Sequence, residues 1–500
     1  MYDYIIVGAG SAGCVLANRL TEDPETSVLL LEAGGNDDMP EIHNPADLGK
    51  LFQSAVDWAY FTEEEPHLNN NKVYLPRGKV LGGSSSTNFM AYAHGNRSDY
   101  DHWQELGNKG WSYADVLPYF KKAENWERGV SKYHGRGGPL NVTDLPSINP
   151  LTAAFIEAGV ELGWSRNDDY DGASQDGFST LQFTIRQGKR HSTADGYLHP
   201  AESRPNLTLW TETLATRVLF EGTHAVGVAY LKDGVEQQVW VNKEVILSGG
   251  VINSPQTLLL SGVGPVDQLR ALDIPVVADV PGVGYNLHDH PNVNMYFTTK
   301  PSFTQIGSTA EGVAFIKTQP DLPKPDIQFI LTPYLYPPLT DYGYTITVVL
   351  LNIQSRGHLI LRSTDPTQPP AVFENYLADE ADLSKLIKGV KLGRRLSQAK
   401  AFAPFYEAEV QPGRQVQSDQ EIVKFIRNNL QTTSHSVGTC KMGHDEMAVV
   451  DEQLRVRGIE GLRIVDASIM PTIVNAFTNA ATIMIAEKIA ALLTNRKRQD

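Results

Sequence analysis

Three glycines near the start of the chain, Gly8, Gly10 and Gly13, have the spacing of a phosphate-binding turn. Gly8 permits the tight turn, Gly10 lets the backbone approach a pyrophosphate, and Gly13 lets a following helix pack closely on the preceding strand. Ser11 and Ala12 lie at the start of that helix, whose free N–H groups suit phosphate oxygens. Glu32, followed by Ala33, ends the next strand, where an acid accepts hydrogen bonds from ribose hydroxyls and disfavours a 2′-phosphate. The chemistry these residues support is dinucleotide binding. The elements that must position them are the β-branched run Asp3 to Val7, the helical run from Cys14 through Leu20, and the strand Ser27 to Leu31, a βαβ unit.

The whole chain sets bounds on the partners. It has 500 residues, of which 41% are hydrophobic and 20% charged, an ordinary balance for a globular protein of several domains. A formal net charge of -15 argues against nucleic acid or an anionic membrane surface and leaves small molecules as the expected ligands. Two cysteines, Cys14 and Cys440, do not make a disulfide framework. The first strand begins almost at Met1, with no signal peptide ahead of it, and no uninterrupted apolar run is long enough for a membrane span, so a cytoplasmic enzyme is the expectation.

A second glycine cluster runs Arg77-Gly78-Lys79-Val80-Leu81-Gly82-Gly83-Ser84-Ser85-Ser86-Thr87-Asn88-Phe89-Met90-Ala91-Tyr92. Its glycines and hydroxyls give a backbone able to lie flat against a ligand while donating to it. Further segments follow in order: Val245 to Gly250, a strand into a double glycine; Pro281 to His290; Thr433 to Gly443; and Leu462 to Ser468. With Tyr100-Asp101-His102-Trp103, this series closely resembles the glucose-methanol-choline (GMC) family of FAD-dependent oxidoreductases. The resemblance implies that Val80, Gly82, Asn88, Phe89, Met90 and Ala91 touch the flavin, and that Val218 pairs its backbone with adenine. It also implies that Asp466 and Ala467 reach the flavin, with Asn479 and Thr482 at the start of the last, apolar helix. That helix, aimed N-terminus first at the flavin, would stabilise its anionic reduced form.

In the same resemblance His435 is the catalytic base, a role that suits an imidazole. Val251 and Thr257 depart from the family's second signature, and three further departures bear on the chemistry. Thr87 replaces the histidine that links flavin covalently in some members, so FAD is expected to be held non-covalently. His94 stands where arginine is usual, and Phe477 where a second polar catalytic residue is usual, leaving Asn475 as the candidate for that role. His288 and His290 read as satisfied loop histidines, and no metal site is expected.

The fold class expected is α/β, with a Rossmann-like FAD-binding domain made of 1–145, 190–290 and 435–500. A second, sheet-based substrate domain would comprise 146–189 and 291–434. The runs Leu207 to Trp210, Arg217 to Phe220 and Ala225 to Tyr230 read as an antiparallel meander. Tyr334, Tyr336, Tyr342 and Tyr344 are either an aromatic pocket lining or surface tyrosines at a sheet edge. The function implied is oxidation of a primary alcohol by hydride transfer to flavin N5, with oxygen or another acceptor taking the electrons. A hydroxynitrile-lyase-like, non-redox flavoprotein on the same fold is the alternative. A fatty acid photodecarboxylase fits less well, because it needs a cysteine in the substrate domain and this chain has none there.

Overall fold

The computed structural model describes residues 1–303, 309–339 and 342–496. Two seven-stranded sheets organise them. In the first, five segments run parallel, in the order Leu207–Trp210, Val28–Leu31, Tyr2–Val7, the second half of Val235–Leu247, and Leu462–Ile464. The four Val28–Leu31 residues are all buried, as expected of a parallel strand covered on both faces. The helix Ser11–Leu20 packs on this sheet, and the final helix Thr478–Arg496 packs on that helix. Arg19 clamps the two helices together: its Nε and Nη2 donate to Glu487 Oε1 at 2.9 and 2.7 Å. Glu487 is fully buried and also accepts from Tyr197 Oη, at 3.0 Å, and from Lys122 Nζ, at 2.8 Å, so its charge is fully compensated.

The thirteen-residue strand Val235–Leu247 has two roles. Its first half pairs antiparallel with His224–Lys232, which pairs in turn with Leu214–Glu221, while its second half enters the parallel core beside Tyr2–Val7. The meander therefore contains Leu214–Glu221 but not Leu207–Trp210, which was expected to belong to it. That segment pairs parallel with Val28–Leu31, because Asn206 Nδ2 and Asn206 O bind the turn that enters the latter strand and set the two side by side.

The second sheet is antiparallel and ordered Tyr406–Gln411, Pro291–Thr299, Gly343–Leu350, Ile327–Thr332, Gly312–Ile316, Gly177–Thr180, with Gln431–Thr432 pairing to Pro291 and Asn292. The helix Glu380–Ser397 covers one face. Its Gly389 and Gly393 admit the sheet closely, since an added Cβ would lie 2.5 Å from Val348 Cγ1 and 2.7 Å from Met295 Sδ. Alternation then sorts the strand Pro291–Thr299: Val293, Met295 and Phe297 are core residues, while Asn292, Asn294 and Tyr296 project to the opposite face. The helix Tyr113–Ala123 stops where the chain becomes the short strand Glu124–Trp126, paired with Leu140–Asp144. Among the described residues no helix is long and apolar enough to cross a membrane.

Candidate active site

A cavity of about 950 Å³ lies between the two sheets. That volume is at the top of the range for small-molecule sites and suits a dinucleotide with a small substrate beside it. One end is built from backbone. Gly8 has φ +99° with an added Cβ only 2.6 Å from Ser248 O, and a Cβ at Gly13 would lie 1.9 Å from Gly8 O, so helix and strand touch through glycine. Gly8, Gly10, Ser11 and Ala12 line the cavity. The second glycine cluster folds against the first: Gly82 N donates to Ala9 O at 2.8 Å, and a Cβ at Gly83 would meet Gly10 Cα at 2.7 Å. Asn88, Phe89, Met90 and Ala91 then continue along the cavity wall. Arg190, itself buried, holds that wall by donating from Nη1 to Asn88 O, at 2.7 Å, and to Asn88 Oδ1, at 2.8 Å.

Two acids at this end are locked by the chain. Glu32 accepts from Ala9 N through Oε2 and from Gly34 N through Oε1, both at 2.8 Å, and burial pushes its carboxyl up to about 7 against those hydrogen bonds. Asp466 accepts from Gly250 N and Ser254 Oγ on Oδ2, and from Ser468 N and Oγ on Oδ1. Both line the cavity, as do Ala33, Ala467, Asn479 and Thr482, and Asn479 Nδ2 donates to Ser11 Oγ at 2.8 Å. The last helix thus begins against the first turn.

The other end is built from side chains. His435 follows Ser434, whose φ of +62° turns the chain sharply, and Arg77 Nη1 holds that turn by donating to Ser434 O at 2.9 Å. His435 N donates to Asp289 Oδ1 at 2.7 Å, and Asp289 is itself fixed by the Tyr376 hydroxyl, at 2.7 Å, and by the Thr432 hydroxyl. The His435 and His290 Nδ1 atoms lie 3.1 Å apart, and the Phe477 ring stands edge-on to His435, with centroids 5.6 Å apart. Burial, helped by Arg77, pushes the His435 imidazole down to about 3, and burial holds His290 well below the usual range, so both rings are neutral. Between two neutral rings one Nδ1 donates and the other accepts. His435 Nε2 has no partner among the described residues, and the residue lines the cavity.

The N-terminal family model of the GMC oxidoreductases matches residues 2–292, and the C-terminal model matches residues 354–486. The chain belongs to the GMC oxidoreductase family. It is 46% identical to mitochondrial choline dehydrogenase of Mus musculus, over 98% of this chain and 89% of that one. It is 43% identical to an alcohol dehydrogenase [acceptor] of Pseudomonas putida, over 99% and 96%. Among solved structures, pyridoxine 4-oxidase from Mesorbium loti superposes with a TM-score of 0.95 at 30% identity, covering 99% of both chains. GMC oxidoreductases are FAD flavoproteins, and the backbone end of the cavity fits that cofactor.

Four residues expected at the GMC cofactor site do not line the cavity. Gly13, Val80 and Gly82 support it from behind: Gly13 seats the helix, Val80 bridges to Gly35, and Gly82 binds Ala9. Val218 is placed elsewhere, because its N–H donates to Ser261 Oγ at 2.8 Å and it pairs with Val228 in the buried meander. Thr213, Leu214 and Ala215, at the start of the same strand, line the cavity in its stead. Asn475 is likewise misplaced for a catalytic role. It is fully buried outside the cavity, with Nδ2 donating to Pro325 O and N to Asp99 Oδ2, both at 2.6 Å, while its carbonyl accepts from Gln175 Nε2 at 2.7 Å. Those bonds tie down the loop before the last helix, and Phe477, not Asn475, faces His435.

The sequence reading missed His290, Asp289 and the wall formed by Asn292, Asn294 and Tyr296. A signal was present: polar or aromatic residues at 290, 292, 294 and 296 alternate with apolar ones, a two-faced strand. Of the four tyrosines, Tyr336 lines the cavity, Tyr344 packs in the core on Phe297 and Phe402, and Tyr342 is exposed.

Proposed function

We propose that this chain oxidises a primary alcohol to the aldehyde, with His435 as general base and FAD held non-covalently. The observation that carries the reading is a neutral His435 on the cavity wall, its Nδ1 engaged by His290 and its Nε2 unpartnered. FAD, when bound, supplies a hydride acceptor at N5. Gly8 to Ala12, Glu32, Asn88 to Ala91, Asp466, Ala467, Asn479 and Thr482 would hold it. Thr87 offers no imidazole for a covalent link.

His435 takes the hydroxyl proton at Nε2 while Nδ1–H donates to His290, a tautomer that leaves one free lone pair where substrate sits. Asp289 fixes the backbone of His435, and Phe477 walls water away from the imidazole. The names of the curated relatives, choline and alcohol dehydrogenases, support a CH–OH donor. Oxygen or another acceptor then takes the electrons. The two sheets correspond to a cofactor domain of 1–145, 190–290 and 435–500 and a substrate domain of 146–189 and 291–434.

Anaerobic mixing of the yellow protein with a series of primary alcohols tests the reading. Bleaching of the flavin band with formation of aldehyde is expected. A flavin that no alcohol bleaches would favour a non-redox role of the lyase type. Acid precipitation should leave the FAD in the supernatant, and flavin retained in the pellet would contradict the non-covalent assignment.

A further inference from the structure

Away from the cavity, four side chains with metal-binding atoms converge in the interior. Tyr92, His94, Glu124 and His134 are 3%, 0%, 0% and 0% exposed. Tyr92 ends the short strand that follows the cavity-lining Asn88 to Ala91 segment, and Glu124 begins the strand after the helix Tyr113–Ala123. His134 lies in the loop that returns against that helix, where a Cβ on Gly135 would be 1.9 Å from Lys121 O.

Their separations decide between two readings. His94 Nε2 is 3.4 Å from Glu124 Oε2, and His134 Nδ1 is 3.4 Å from the same oxygen and 3.3 Å from Oε1. Tyr92 Oη is 3.1 Å from both His94 Nε2 and Glu124 Oε2. The histidine and glutamate atoms all lie within 4.8 Å of one another. A charge-assisted hydrogen bond between imidazolium and carboxylate closes to about 2.7–2.9 Å, so these contacts are too long for a relaxed buried ion pair. Ligands about 2.0–2.1 Å from a tetrahedral zinc are, by the geometry of the tetrahedron, about 3.3–3.4 Å from each other. The two 3.4 Å edges from the imidazoles to Glu124 Oε2 match the second arrangement, and the two 3.1 Å edges from Tyr92 are slightly shorter.

The surroundings match it too. His134 Nε2 is 3.1 Å from Asp169 Oδ1, the carboxylate–imidazole arrangement that orients a metal-binding histidine. Glu124 Oε1 is occupied by Gly135 N at 2.6 Å, which leaves Oε2 for the shared centre. The rings are fixed by stacking, His94 on Phe120 with centroids 4.3 Å apart and His134 on Trp126 at 3.6 Å.

The geometry points to a structural zinc site held by His94 Nε2, Glu124 Oε2 and His134 Nδ1, with the Tyr92 hydroxyl as fourth ligand. Such a closed set, without a free position, ties segments together and does no chemistry. Here it links the end of the cavity wall to the helix Tyr113–Ala123. It depends on His94: with arginine at position 94, as the resemblance leads one to expect, a guanidinium would pair with Glu124 and no metal set would exist. Zinc would be acquired during folding, since no ligand reaches the surface.

The test uses the full-length flavoprotein, produced with added Zn²⁺ and dialysed against chelator at room temperature, with metals measured by mass spectrometry. Wild type should retain stoichiometric zinc and His94→Arg none, while both stay yellow. Wild type grown in Co²⁺ should show tetrahedral cobalt bands at wavelengths beyond the flavin absorption, and unfolding in the presence of a chelator should lower the melting temperature of wild type alone. Sub-stoichiometric metal in wild type, with a melting temperature that zinc does not move, overturns the site. So does a His94→Arg protein that keeps its zinc. His134→Gln provides the second variant if His94→Arg fails to fold, and loss of zinc with retained FAD is the result expected of it.

Discussion

The two ends of the cavity hold their ligands by different means. At the cofactor end the polar work is done by backbone N–H groups, and the two acids, Glu32 and Asp466, are held in place by donors from the chain itself, with acceptor capacity left on Glu32. At the substrate end it is done by side chains from separate segments, and two buried polar atoms of cavity-lining residues, Asn292 Oδ1 and Arg427 Nε, find no partner among the described residues. Backbone donors in a fixed turn need no side-chain ordering to receive a ligand, which favours one invariant cofactor. Unpartnered side-chain atoms discriminate among ligands instead, because a molecule that fails to satisfy them leaves their desolvation cost standing. The first end is preformed for FAD, and under the proposed function the second would select the alcohol.

The sharpest way to separate the ends is to remove the imidazole from the second. General-base catalysis contributes about a hundred- to ten-thousand-fold, so His435→Ala should slow flavin reduction by that factor while FAD content and spectrum stay as in wild type. Stopped-flow reduction under anaerobic conditions reads it. Loss of FAD along with activity would mean that the two ends are not independent, and unchanged reduction would remove His435 from the mechanism.

The converse change, Glu32→Ala, acts on the first end. It strands the Ala9 and Gly34 N–H groups that Glu32 now accepts from and removes the acceptor for the ribose. Hydrogen bonds to a charged group are worth about 1.5–3 kcal/mol, so FAD retention after dilution should weaken about ten- to a hundredfold. Protein reconstituted with saturating FAD should still be reduced at close to the wild-type rate. Undiminished FAD occupancy would show that the backbone alone holds the dinucleotide.

A smaller effect concerns pH. An imidazole near its ordinary value of about 6.5 would lose base activity tenfold for each unit below it. His435 is pushed down to about 3, so it stays unprotonated well into the acid range, and reduction should change little between pH 8 and pH 5. The sign is definite: protonation removes the base, and it begins only as pH approaches the depressed value. An acid limb centred near 6.5 would show that bound ligands restore an ordinary imidazole.

The contrast between the ends also governs how much could be read from sequence. Gly8 to Gly13, Glu32 and the Asn88 to Ala91 segment were legible because a turn is a local object whose residue types state its geometry. Val218 was not, since which residue of a strand meets a ligand depends on pairing and register: the strand lies where expected, but its first residues meet the cavity and Val218 is spent on Ser261. Leu207–Trp210 was assigned to the meander because a short strand carries no mark of its partner's direction. The substrate wall was least legible. Asn292, Asn294 and Tyr296 acquire meaning only when the sheet turns their face toward His435, and His290 only when the chain returns 145 residues later to set His435 beside it.

The smallest activity effect is expected at Asn475, the residue the sequence offered for the second polar catalytic role. Asn475 is walled off from the cavity, and its backbone bonds to Asp99 and Gln175 do not depend on its side chain. Alanine there removes the Nδ2 bond to Pro325 O, a carbonyl that still accepts from Asn352 Nδ2 at 2.8 Å. The cost falls on stability, about 0.5–1.5 kcal/mol for one lost hydrogen bond, seen as a lower urea midpoint. Flavin reduction should stay near the wild-type rate. A fall of tenfold or more, about 1.4 kcal/mol in the barrier, would place Asn475 on the reacting hydroxyl after all, through a rearrangement of the 471–477 loop that brings its amide past Phe477. Phe477→Asn distinguishes the two outcomes: it puts an amide at the position that faces His435, and if that position is where a second polar group acts, the double variant Asn475→Ala, Phe477→Asn should reduce flavin no slower than Phe477→Asn alone.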